Sequence, residues 1–207
     1  ADDCDYTGDL KIGCTETLAA TKLGPCLPDF LRRYPNARPS LTTAAASVLI
    51  GKVAAGHLEG ALIPGFPHHP DLCIKALAHE RLCIVTSYRY ASLEECLAEK
   101  MLRLFVTSSD CPYNTAFQSW HSPADEAVIC SVEIESFAAI LNCVQDGLGI
   151  FVMPSTASDA IRAKYGVKTF QLPRQVSVTT SLVHRRSNRH SRLLSRLIDC
   201  LTSAAGA

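Results

Sequence analysis

In "VEIESFAAILNCVQDGLGIFVMP", residues 132–154, one apolar helix stands between two strands. "AVICSVE" (127–133) reads as a strand and "ESFAAILNCVQDG" (135–147) as a helix ended by Gly147. "GIFVMP" (149–154) reads as a second strand, closed by Pro154, which cannot donate to a ladder. Strand, helix and strand in so short a span predict parallel strands joined by a right-handed crossover.

The same alternation continues on both sides. Upstream, "SLEECLAEK" (92–100) predicts a short helix and "LRLFVTS" (102–108) a strand. In "SSDCPYNTAFQSW" (108–120), Tyr113, Ala116, Phe117 and Trp120 recur at helical spacing and form a core face. Asp110 or Cys111 would cap this helix, with Pro112 at its first position. Downstream, "ASDAIRAKYG" (157–166) predicts a helix and "VKTFQL" (167–172) a strand.

The N-terminal half repeats the scheme. "LKIGC" (10–14), "PSLTT" (39–43), "GALIPG" (60–65) and "RLCIVTS" (81–87) read as strands. The helix after Thr15-Glu16-Thr17 reaches "CLPDFLRRYP" (26–35), where Leu23, Leu27, Phe30 and Leu31 share a face and Pro25 and Pro28 kink or restart it. "ASVLIGKVAAG" (46–56) predicts a helix ended by Gly56. A strand, "SVTTSLVHRR" (177–186), and a helix, "SRLLSRLIDCLTSA" (191–204), finish the chain. The fold class is α/β, with two Rossmann-like lobes. Residues 8–86 with 177–207 make lobe I, and residues 87–176 make lobe II.

Composition excludes several function classes. With 207 residues, 47% apolar and 19% charged, the chain has ample core. Lys plus Arg equal Asp plus Glu at 20 each, so no overall basic field advertises nucleic acid. The local cluster Arg185, Arg186, Arg189, Arg192 and Arg196 reads as a solvated face rather than a DNA contact, since no aromatic or Gly-rich signature accompanies it. No apolar run is long enough to span a membrane. The N-terminus, "ADDCDYTGD", is acidic and lacks an initiating Met, which suggests a fragment or processed chain without a signal peptide.

Ten cysteines do not form a disulfide framework here. Cys26, Cys73, Cys83, Cys96, Cys130, Cys143 and Cys200 sit among aliphatic residues, where a free thiol behaves as a small hydrophobe. Reduced thiols in the cytoplasm are the expectation. Nucleophile-elbow, phosphate-loop and dinucleotide motifs are absent, so no enzyme activity and no cofactor are expected. His69-x3-Cys73 and His79-x3-Cys83 are too thin a pattern for a metal site.

Polar turns where strands give way to helices carry the binding expectation. Ligands lie outside the carboxyl ends of parallel strands, where helix N-termini favour anions. This places Thr15–Thr17, Thr42–Ser47, Pro64–Phe66, Ser108–Cys111 and Glu133–Ser136 around one cleft. Thr15, Thr17, Thr43 and Ser109 have suitable hydroxyls, although each would serve equally as a helix cap. Phe66 would form an apolar wall or merely pack a turn. Glu16, Glu133 and Glu135 suit an ammonium group, and so an amino acid or amine slightly over a simple organic acid, unless they only face solvent or helix starts.

"GDLKIG" (8–13), "LPDFLRRYPNARPSL" (27–41), "VAAGHLEGALIPG" (53–65), "HERLCIVTS" (79–87) and above all residues 132–154 resemble the effector-binding domain of LysR-type transcriptional regulators. The resemblance covers nearly the whole chain in order. It implies a fold like that of type 2 periplasmic binding proteins, with a small-molecule effector held in the interlobe cleft and no membrane partner. It also implies a homodimer of this domain, a tetramer at full length, and DNA binding only through an N-terminal winged helix-turn-helix that these residues lack. Leu58-Glu59-Gly60-Ala61 departs from the family's usual Leu-Asp-Leu-Ala. A solute-binding protein of the same architecture is the alternative.

Cys111 is the remaining candidate, as effector contact, packed thiol or redox sensor. Peroxide-sensing members of the family keep a reactive cysteine at a similar place, with a resolving cysteine shortly after it. Trp120 and His121 occupy that region here, and the next cysteine, Cys130, falls in a strand. The redox reading is therefore secondary.

Overall fold

A computed structural model describes residues 6–121, 128–186 and 192–203. The chain divides into two compact units, one made of residues up to 78 and from 179 onward, the other of residues 79–178. Both divisions fall inside strands. The sequence reading placed the crossings at 86/87 and 176/177.

The first unit contains β1 (Gly8–Cys14), α1 (Glu16–Leu18), a π-helical turn (Ala19–Leu23), α2 (Gly24–Arg33), β2 (Ala37–Thr43), α3 (Ala46–Ala54) and β3 (Gly60–Pro64). It is completed by the start of β4 (Leu72–Thr86), most of β9 (Ser177–Arg185) and α8 (Arg192–Ser203). Strand β1 pairs in parallel with β2 and β3, and β9 runs antiparallel on β3. Leu10 and Ile12 of β1 pack with Leu18, Phe30, Leu194 and Leu197. On the opposite face of the sheet, Ala61 and Ile63 of β3 meet Leu49 and Val53 of α3. Strands buried on both faces account for the nearly continuous apolar runs in this half.

The helical run after β1 shows why the prolines matter. Pro25 has no N–H, and Gly24 bonds instead to the carbonyl of Ala19, five residues back. A Cβ on Gly24 would stand 2.7 Å from that oxygen, so glycine is required there. Helicity then resumes with Pro25 in the first turn and Pro28 inside α2. Phe30 is buried as expected, but Leu31, about 100° further round α2, is exposed at the margin of that face.

The second unit contains the rest of β4, then α4 (Leu93–Leu97), β5 (Met101–Val106), α5 (Pro112–Trp120), β6 (Val128–Glu133) and α6 (Phe137–Gln145). It continues through β7 (Ile150–Pro154), a 3-10 turn (Ser155–Ala157), α7 (Ser158–Tyr165) and β8 (Lys168–Gln171). Strand β5 pairs in parallel with β6 and β7, and β4 pairs antiparallel with β7 and β8. Alternation sorts the side chains. Leu104, Ile150 and Val152 join Tyr113 and Phe117 of α5 on one face. Phe105, Phe151 and Met153 join Phe137, Ile140 and Val144 of α6 on the other. The Tyr113/Phe117 face of α5 is core, with Ala116 and Trp120 packed at its margin.

Strand β4 begins at Leu72, nine residues before the expected start at Arg81. Lys75, His79 and Glu80 interrupt the apolar pattern there, and pairing geometry overrides composition. Cys130 is exposed on β6 rather than packed, while Cys73, Cys143 and Cys200 are half-buried. Strand β6 pairs with β5 along one side, which leaves its residues less covered.

Two members of the arginine cluster make intramolecular contacts. Arg186 donates from Nε to the Leu72 carbonyl, and Arg196 bonds Asp199 and Tyr6 and lies over the Tyr6 ring. Arg189 falls outside the described residues. No described helix is long and apolar enough to cross a membrane.

Two glycines test this packing in opposite directions. A Cβ on Gly149 would lie 2.5 Å from the Arg103 carbonyl oxygen and 2.9 Å from the Phe105 ring, whereas one on Gly51, in α3, meets nothing within 4 Å. Gly149→Ala is expected to lower unfolding free energy by about 1–3 kcal/mol. Gly51→Ala should raise it by roughly 0.5–1 kcal/mol. Urea denaturation of each variant measures both effects.

Candidate functional site

Three parallel strands of the first unit end at Cys14, Thr43 and Pro64, and strand register brings these ends together. Cys14 pairs with Thr43 on one side and with Leu62 on the other. The backbone N–H of Thr15 extends the second pairing by bonding the Leu62 carbonyl at 3.2 Å. Thr15–Thr17, Thr43 and the Pro64–Phe66 turn therefore share one end of the sheet. Across from β3, Pro64 is paired with Thr180 of β9. Gly65 ties the turn down, donating its N–H to the Thr179 carbonyl and accepting from the Ser181 hydroxyl.

Thr15 occupies the N-cap position of α1, but its side chain makes no capping bond. Its Oγ1 is buried and has no hydrogen-bond partner in the protein. The same holds for Oγ1 of Thr17, a residue only 1% exposed, and of Thr180, which is 0% exposed. The Thr17 carbonyl does have a partner, accepting from the Thr21 hydroxyl at 2.7 Å. A buried hydroxyl without a partner costs about 1–3 kcal/mol, and native structures keep few of them. Capping is thus not what these hydroxyls do.

The other candidates in this unit are more open. Glu16 is half-buried and Thr43 exposed. Phe66 is 62% exposed. Burial and the Glu16 charge both hold the Cys14 thiol well above the usual thiol range, so it stays protonated and inert. A continuous helical run, residues 16–33, starts from this turn and directs its positive end at it. The π turn one step further in is a feature often found beside functional sites.

In the second unit the parallel strands end at Val106, Glu133 and Pro154. Ser109, Glu133 and Glu135 are exposed there. The Ser108 hydroxyl bonds the Asp110 carboxylate, and the Ser108 carbonyl accepts the Cys111 N–H at 3.1 Å, so this turn satisfies itself. Cys111 takes the N-cap position of α5 without a side-chain cap, and Pro112 opens the helix. Ser136, by contrast, caps α6 through the Ala139 N–H.

Cys111 is 9% exposed. Burial pushes its thiol up, and the backbone N–H groups of Asn114 and Tyr113 only partly offset this. That is the opposite of the electropositive, accessible setting of a reactive thiolate. Asn114 follows in the same turn, with a buried Oδ1 that has no hydrogen-bond partner in the protein. Sequence reasoning missed Asn114 and Thr180. Asn in a first helical turn is ordinary, and "SVTTSLV" reads simply as strand, so neither carried a local signal. His79 and Cys83 do not converge on a metal: His79 meets the Ser177 hydroxyl at 2.7 Å, and Cys83 is wholly buried.

Comparison with known proteins places the whole chain. A family model described as the LysR substrate binding domain matches residues 5–206. The chain is 29% identical over 197 residues to an uncharacterized HTH-type transcriptional regulator, YusT, of Bacillus subtilis strain 168. That match covers 95% of this chain and 66% of the relative, so the chain spans about two thirds of its length. Among solved structures it is similar to the reduced OxyR regulatory domain from Pseudomonas aeruginosa, with a TM-score of 0.76 and 18% identity over 98% of this chain and 100% of that one. It is also similar to full-length CbnR in complex with its target DNA, with a TM-score of 0.72 and 21% identity over 95% of this chain and 70% of that one. At such identities these two likenesses are of fold alone. The match to the family model over nearly every residue, on top of the two α/β units, means that the chain belongs to the LysR family and is the effector-binding domain of a LysR-type transcriptional regulator.

Proposed function

We propose that this domain senses a small polar metabolite at the strand ends that carry Thr15, Thr17 and Thr180. The observation that carries the proposal is their three buried hydroxyls, none of which has a hydrogen-bond partner in the protein. A ligand that accepts from or donates to them recovers the cost of their burial. The helix start beside them favours a carboxylate or another anionic group. Glu16, half-buried in the same turn, suits an ammonium group. An amino acid combines both features, with amines and organic acids as the neighbouring classes. Thr43 and Phe66 border this end of the sheet. In the second unit, Ser109, Cys111, Asn114 and Glu135 are the corresponding candidates at the ends of its strands.

Binding would act by population shift: an effector that prefers one conformation of the regulator favours it by its difference in affinity. DNA contact belongs, in this reading, to other parts of a longer protein, as befits a chain matched to 70% of DNA-bound CbnR. Pairing of this domain into a homodimer, a tetramer at full length and residence in the cytoplasm complete the proposal. The relative named as a transcriptional regulator favours sensing over solute delivery.

Thermal-shift screening against amino acids, amines and small organic acids tests the site. A saturating hit is expected to raise the melting temperature by mass action, by roughly 2.7 kcal/mol of stability at a hundredfold excess over Kd. Thr15→Val and Thr17→Val should leave the free domain as stable or slightly more stable, since each removes an unpartnered hydroxyl, yet abolish most of that ligand-dependent shift. Unchanged shifts in both variants would remove these hydroxyls from the site.

Alkylation measures the redox alternative. With iodoacetamide on the native chain, exposed Cys130 should label much faster than Cys111, read by peptide mass mapping. Preferential labelling of Cys111 would instead favour thiol sensing at α5.

A further inference from the structure

We propose that Cys26 and Cys200 form a redox-active thiol pair whose disulfide fastens the C-terminal helix α8 to α2. The two helices pack together, and both cysteines belong to one apolar cluster with Leu23, Leu197 and Leu201. The Cys200 side chain is a close neighbour of the Cys26 thiol across the packed faces of α2 and α8, and a bridge between them would have an S–S bond of about 2.05 Å. Residues 26 and 200 are separated by most of the chain, and only the fold brings them together.

The two thiols are not equivalent. Cys200 is half-buried and reachable, whereas Cys26 is buried. Burial, together with the neighbouring Cys200, pushes the Cys26 thiol up to about 11. This assigns Cys200 as the entry point for hydrogen peroxide and Cys26 as the resolving thiol. The Cys200 sulfur attacks the peroxide, the O–O bond breaks, and a sulfenic acid forms as one water leaves. The Cys26 sulfur then attacks the Cys200 sulfur and breaks the S–O bond, and the Cys26 proton leaves with that oxygen as a second water. Two thiols lose two electrons and one hydrogen peroxide becomes two waters. A dithiol reductant reverses the cross-link.

Five of the other described thiols lack this combination. Cys14 and Cys83 are fully buried. Cys111 is shielded among backbone N–H groups, and Cys96 is buried beside Thr86. Cys130 is accessible but lies on β6, in the second unit, whereas α2 and α8 belong to the first.

The test is oxidation of the unmutated chain with stoichiometric hydrogen peroxide, trapping of residual thiols under denaturing conditions, and peptide mapping by mass spectrometry. The expected product is a dithiothreitol-reversible peptide pair joining Cys26 to Cys200, with a melting temperature raised by about 5 °C or more, because the bridge closes a very long loop. Cys26→Ser and Cys200→Ser should each lose that rise, and Cys130→Ser should keep it. Recovery of Cys26 as a free thiol after full oxidation, or a bridge between any other pair, overturns the proposal. The mapping decides this on the unmutated chain even if a variant fails to fold.

Discussion

Everything in the first unit depends on a strand that is hydrogen-bonded along both edges and covered on both faces. Strand β1 pairs with β2 and β3, and its Leu10 and Ile12 are sealed under the helical run that follows it. Gly13 faces the other way, where an added Cβ would stand 2.7 Å from Leu49 and 2.8 Å from Leu58. The helix layer therefore sits directly on the backbone. A sandwich this tight leaves polar groups only the ends of the strands, and the candidate site lies at one of those ends.

The same constraint explains the contrast between the two sets of turns. In the second unit, the Ser108–Cys111 turn closes its own hydrogen bonds and Ser136 caps α6. In the first unit, Thr15 stands in the N-cap position without capping, and the Thr17 and Thr180 hydroxyls are equally without protein partners. Sequence cannot separate these cases, since a threonine before a helix has the same local pattern whether it caps or binds. Backbone geometry decides it. Thr15 uses its N–H on β3 and its carbonyl on Ala19, which leaves its hydroxyl directed elsewhere.

Thiol chemistry follows burial more than position. Cys111 holds the place at a helix start that suggests reactivity, yet its surroundings raise the thiol rather than lower it. Cys130, read as packed, is exposed because β6 is covered less than the strands inside the sheet. Neither outcome is encoded in the residues beside the cysteine. Both depend on which elements the fold stacks over it.

Apolar periodicity, glycine ends and proline positions determined by themselves that the chain alternates strands and helices, where Gly147 stops a helix, and which face of α5 is core. These are local properties, set by backbone torsions and by spacing within one element. The long β4, the burial of Thr180 and Asn114, and the meeting of Cys26 with Cys200 were decided only by tertiary structure. Each arises from contact between residues far apart in the chain, whose energies override the preferences of the segment in which they lie.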